Sequence, residues 1–137
     1  LKVVFGERKM LANKLIRYAI KNQPCLVIDA ANAANAHNFY PEFMPEDMEQ
    51  VYVVEVEMLY KLRDYMANLH KYDFQKIIIT PIVHLMNYQD GEENDSILRH
   101  TWELLRDHAK TRDITIGASR HQKLAKHYAE EIVWVTQ

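Results

Sequence analysis

The sequence predicts an α/β protein, three-layer α/β/α, with a mostly parallel sheet of about six strands. Three observations carry that prediction. Short β-branched runs alternate with longer amphipathic segments along the whole chain, the signature of βαβ units. Several of those runs are continuously apolar rather than alternating, as strands covered on both faces are. Gly is 3 and Pro 4 among 137 residues, too few for the tight turns of an all-β sandwich.

The elements follow in order. Lys2-Val3-Val4-Phe5 is a short β-prone run closed by Gly6. Met10 to Lys21 carries Leu11, Leu15, Ile16, Ala19 and Ile20 on one helical stripe. Pro24 disfavours helical geometry in the residue before it, so Asn22-Gln23-Pro24 ends that helix. Cys25-Leu26-Val27-Ile28 is the second strand and opens into an Ala/Asn-rich segment, then a loop with Pro41 and Pro45. Val51–Val56 is the third strand, and Leu59, Leu62, Met66 and Leu69 mark the helix after it. Lys76–Thr80 is the fourth strand. An acidic, polar stretch runs from Asn87 to Asp95, and Leu98, Trp102, Leu105 and Ala109 then define a long helix capped by Asn94 or Asp95. Asp113–Ile116 is a fifth strand, His121–Glu130 a shorter helix and Ile132–Val135 a sixth strand. There is no internal repeat and no low-complexity segment.

Length argues for a single domain spanning 1–137. Hydrophobic residues at 48% and charged residues at 26% fit an ordinary globular chain rather than a disordered one. The net charge of −2 lacks the footprint of a dedicated polyanion binder. Cys25, standing alone, forms no internal disulfide and no thiolate metal cage, which favours a reducing compartment. No apolar run approaches the ~18 residues of a membrane helix, and nothing reads as a signal peptide. The expectation is a cytoplasmic protein with no membrane partner.

The order of motifs resembles the RecA-like core of archaeal RadA and RadB recombinases, over nearly the whole chain. In that family a strand and phosphate loop lead into a helix, as Val3–Gly6 leads into Met10–Lys21. A second strand ends in a "YIDTE…F" signature and a Pro-containing loop, and Leu26-Val27-Ile28-Asp29-Ala30-Ala31…Phe39-Tyr40-Pro41 looks similar. A "VVVDS" strand carrying the metal-associated Asp is matched in place by Ile77-Ile78-Ile79-Thr80-Pro81. The long helix, the strand ending in "NQ", the DNA-facing loop and the final strand look like Asp95–Lys110, Ile114–Arg120, His121–Glu130 and Ile132–Val135. The likeness lies in element order and strand-end position; the signature residues match poorly.

Those departures shape the functional expectation. A phosphate loop needs G-x-x-x-x-G-K-[ST], so that backbone N–H groups wrap the phosphates while Lys and a hydroxyl hold charge and Mg²⁺. Here Gly6-Glu7-Arg8-Lys9-Met10-Leu11 has no second Gly and no Ser or Thr. Glu7 falls in the first turn, where a carboxylate answers the helix dipole itself and repels phosphate. The family's metal-holding Asp corresponds to Thr80, its catalytic Glu to Ala31 and its strand-end Gln to Arg120. Gly6, Arg8, Lys9, Asp29 and Thr80 therefore form a degenerate nucleotide site. The expectation is neither ATP nor Mg²⁺ as cofactor, no catalytic residue and no resident metal. What the resemblance implies is an accessory or scaffold in DNA recombination or repair, associating with itself or another RecA-fold protein.

Other readings attach to the same residues. "VIDAANAANAH" also resembles the opening of PIN-like or NYN ribonuclease domains, where a strand-end Asp starts a metal-binding acidic cluster. Asp29 would be that residue, with Asp90, Glu92, Glu93 and Asp95 as further oxygen donors. The plainer alternative is a strand-end Asp accepting backbone bonds, near Asn32, Asn35 and His37. Arg120, His121, Lys123 and Lys126, with His127, form a basic stretch suited to weak, sequence-independent phosphate contact. Asn87–Asp95, at the family's other DNA-facing position, is acidic and repels a phosphate backbone. The seven His residues show no paired zinc spacing. Phe39, Tyr40, Phe43, Met44 and Met48 lie in a Pro-bearing loop that either docks a partner or packs on its own core. Cys25 behaves as a small hydrophobe.

Overall fold

The structure, a computed structural model, describes residues 1–30, 44–82, 85, 91–119 and 122–135, and the side chains of residues 8, 9 and 91–93 lie outside that description. Ten helices and strands organise the described residues. They are β1 (Lys2–Phe5), α1 (Arg8–Lys21), β2 (Cys25–Ala30), β3 (Val51–Val56), α2 (Leu59–Ala67), β4 (Lys76–Ile79), α3 (Gly91–His108), β5 (Asp113–Ala118), α4 (Lys123–Tyr128) and β6 (Glu131–Trp134). Short 3₁₀ turns at Pro45–Met48 and Leu69–Lys71 complete the set. The strands form one six-stranded sheet in the order β3-β2-β4-β5-β1-β6, and every pairing is parallel. The expected three-layer α/β/α class is what the chain adopts.

Strand order explains where the helices lie. The β1-to-β2 crossover runs toward the β3 edge, whereas β3-to-β4, β4-to-β5 and β5-to-β6 run the other way. Parallel crossovers share one right-handed sense, so reversing direction puts the connecting helix on the opposite face. Accordingly α1, the one helix on this face among the described residues, packs through Leu11, Leu15, Ile16 and Ala19 on Val4, Cys25, Val27 and Ile78. The other face is larger, with Leu59, Leu62 and Met66 of α2, Trp102 and Leu105 of α3, and Ala125 and Tyr128 of α4. These cover Val3, Phe5, Leu26, Ile28, Ile77, Ile79, Ile114 and Ile116.

Polar groups close the ends of this frame. The Arg112 guanidinium donates to the carbonyls of Tyr72 and Phe74 at 3.0 and 2.6 Å, tying the start of β5 to the segment after α2. His108 Nε2 lies 2.6 Å from the Met66 carbonyl and joins α2 to α3. Gly117 has no side chain where one would collide. An added Cβ would lie 2.9 Å from Leu15 and 3.0 Å from Pro81, so α1 and the residues after β4 approach β5 closely because Gly stands there.

Several expected boundaries move. α3 begins at Gly91 rather than after an Asn94 or Asp95 cap, so residues 91–95 are helix and not loop. β2 continues through Asp29 and Ala30, because β3 offers ladder partners as far as Val56. α1 starts two residues early, at Arg8, and α4 is shorter than expected, Lys123–Tyr128. Among the described residues no helix is long and apolar enough to cross a membrane.

Candidate functional site

Ligands of open parallel sheets bind beyond the carboxyl ends of the strands, where neighbouring connections leave toward opposite faces. By strand order one such place lies between β1, which turns into α1, and β5, which leads toward α4 across the sheet, and a second between β2 and β4, whose next strands lie toward opposite edges. The turn from β1 to α1 is two residues long, Gly6 and Glu7. Gly6 N–H donates to the Ala118 carbonyl at 3.3 Å, extending the β1–β5 ladder. Glu7 is the N-cap of α1, extended and without a side-chain capping bond. A phosphate cradle needs several consecutive N–H groups pointing outward, and a two-residue turn does not supply them.

The second part of the site lies two strands further along. Asp29, at 1% exposure, ends β2, and Thr80 directly follows β4. Thr80 Oγ1 donates to Asp29 Oδ1 at 3.2 Å and accepts the Ala30 N–H at 2.7 Å. Thr80 N–H donates to the Ile28 carbonyl at 3.1 Å. The hydroxyl's single proton is thus committed to Asp29, and the group acts as a latch between two strand ends. The plainer reading of Asp29, backbone bonds from the Ala/Asn segment, falls on residues outside those described; the Thr80 hydroxyl is one partner the carboxylate has.

Of the degenerate nucleotide set, Asp29 and Thr80 touch. Gly6 is held apart from them, because β5 separates β1 from β4. The Arg8 and Lys9 side chains lie outside the described residues, as do Ala31, Asn32, Asn35, His37, Phe39, Tyr40, Phe43, Asp90, Arg120 and His121, together with the Glu92 and Glu93 side chains. Asp95 is exposed on α3. Among the described residues no group of three or more His, Cys, Asp or Glu is placed to hold a metal ion.

Of the basic stretch, Lys123, Lys126 and His127 are among the described residues, and all three are exposed. Lys126 Nζ stands 5.6 Å from the centre of the Trp134 ring. Cys25 is fully buried, its Sγ 3.4 Å from the Ala19 carbonyl, and burial pushes its thiol pKa upward against the opposing pull of Lys76. Met44 is exposed and Met48 half-buried.

One surface was not singled out from the sequence. A cleft of about 480 Å³ runs along α1, bounded by Met10, Lys14, Arg17, Tyr18, Lys21 and Val135, the residue after β6. Its sequence signal is nevertheless plain. Arg8–Lys21 contains Arg8, Lys9, Lys14, Arg17 and Lys21 and no acidic residue, in a chain whose net charge is −2.

No protein-family model matches the chain, and no curated protein is significantly similar to it.

Proposed function

We propose that this chain is an ATPase-inactive RecA-like core, most similar to archaeal RadB-type proteins, serving as a non-catalytic accessory or scaffold in DNA recombination or repair. It works by associating with itself or with another RecA-fold protein. The role comes from the resemblance of element order. The loss of nucleotide chemistry is supported by one observation above all: only Gly6 and Glu7 connect β1 to α1, and the Gly6 N–H is already bonded to Ala118. Phosphoryl transfer depends on positioned donors and charge, and at the family's metal-holding position stands Thr80, its hydroxyl committed to Asp29. The single buried thiol accompanies a cytoplasmic setting.

A thermal melt with and without ATP and Mg²⁺ tests the reading. A bound nucleotide at a hundredfold excess over its Kd would stabilise the fold by about 2.7 kcal/mol. The expected result is an unchanged melting temperature. A clear upward shift dependent on both ATP and Mg²⁺ would show a working nucleotide site and end the proposal. The weak DNA contact is tested by a gel shift across salt concentrations, in which Lys123→Glu with Lys126→Glu lowers whatever binding the parent chain shows.

A further inference from the structure

The α1 face of the sheet carries two patches of opposite charge with apolar residues in each. The first is the α1 cleft, where Lys14, Arg17 and Lys21 lie on one helical stripe beside Met10 and Val135. Among the described residues Lys14 and Lys21 form no ion pair. The second is the β3 edge. Residues 44–57 contain Glu46, Asp47, Glu49, Glu55 and Glu57 and no Lys or Arg, and all five acids are exposed.

Register places part of that acidic edge on the α1 side. Val53 pairs with Val27 and Glu55 with Asp29, and Val27 packs under α1, so Val53 and Glu55 face the same way. Val53 is 55% exposed, although its β-branched side chain lies beside the buried Val27. β3 is one terminal strand of the sheet and β6, beside the cleft, is the other. The basic and acidic patches therefore lie at opposite edges of a face that, among the described residues, a single helix covers.

We propose that two copies of this chain associate face to face about a two-fold axis, the acidic β3 edge of each seated in the basic α1 cleft of the other. This specifies, and rests on, the self-association in the proposed function. The charge pattern selects the occupant. A surface carrying both a basic cleft and an acidic edge is complementary to itself when rotated, so one operation satisfies both patches in both copies. Apolar residues in each patch, Val53 against Met10 and Val135, give the contact the drier centre that stable interfaces have. A nucleic-acid backbone would meet the cations but leave those apolar groups unused, and the acidic edge would repel it.

Sedimentation velocity over a concentration series tests this directly. The expected result is a monomer–dimer equilibrium at low ionic strength that weakens at least tenfold in about 0.5 M salt, where charge is screened within a few ångströms. Lys14→Glu with Lys21→Glu, and separately Glu49→Lys with Glu55→Lys, each yield monomers, since each places like charges in both contacts. Mixed in equal amounts, the two variants restore a dimer, because every basic surface again meets an acidic one. Val53→Ser weakens the parent dimer about tenfold without a change of charge, a readout that remains if a charge-reversed chain fails to fold. A parent chain that stays monomeric, folded variants that fail to complement, or growth beyond the dimer would each overturn the proposal. The ATP melt reports on the lost nucleotide site alone, so a monomeric chain with no ATP shift would remove this interface and leave that part of the reading intact.

Discussion

The two faces of the sheet solve the same problem with unequal means. One is covered by α2, α3 and α4 and buries the largest side chains, Trp102 among them. The other has, among the described residues, α1 alone, fitted closely over Gly117 and flanked by an open cleft. Deeply enclosed side chains cannot be replaced by inward movement of their neighbours, whereas a thin, open layer relaxes more readily. The difference lies in how much structure is free to yield, since both faces exclude water from the four central strands.

Truncation on each face gives the largest expected effect and the most direct way to break the comparison. Trp102→Ala should cost about 3–5 kcal/mol, because the cavity it leaves is closed by α3, α4 and the sheet. Leu15→Ala, on the α1 side, should cost about 2–3 kcal/mol, nearer the low end for buried leucines, since the helix can settle toward the sheet. Denaturant titration measures both, and equal losses would remove the distinction.

The Asp29–Thr80 latch joins two strand ends, in phase with Val27 and Ile78 on the α1 side. Thr80→Val keeps the shape but strips a donor from buried Asp29 and an acceptor from the Ala30 N–H. The expected loss is about 1–3 kcal/mol. An unchanged denaturation midpoint would show that the hydroxyl's partners are satisfied in another way. Thr115 offers the opposite sign. Its hydroxyl is buried on the α1 side of β5 with no hydrogen-bond partner, so Thr115→Val should raise stability by about 1 kcal/mol.

The smallest effect concerns pH. Burial raises the Cys25 thiol above its ordinary 9.0, so the folded chain keeps a proton that the unfolded chain loses as pH passes that value. Proton binding then favours the folded state, and stability declines as pH rises from about 9 toward the folded-state value. Cys25→Ala should flatten that alkaline decline, as followed by thermal melts across pH. An identical slope would assign the decline to other groups.

Much of the frame was legible from residue pattern. β1 and β3 lie where their apolar runs place them, and the Leu59–Leu62–Met66 stripe of α2 is buried as its spacing implies. Boundaries failed where local cues compete with long-range ones. Asp29 looks like the start of a loop, yet pairing with Glu55 holds it in a strand. Asn94 and Asp95 look like caps, yet the helix runs through them. In the candidate site the strand-end positions of Asp29 and Thr80 were readable, whereas their hydrogen bond joins residues 51 apart in sequence and no local pattern encodes it.

The sequence by itself determined the class of the fold and the alternation of its elements, because periodicity and turn residues act over a few neighbouring positions. Tertiary structure alone decided that β1 lies between β5 and β6, that α1 packs on the face opposite α2, α3 and α4, and that its cations and the acids of β3 occupy opposite edges of that face. The physical reason lies in the strands themselves. A run such as Ile77-Ile78-Ile79, apolar on both sides, records that it is buried but not which side meets which helix.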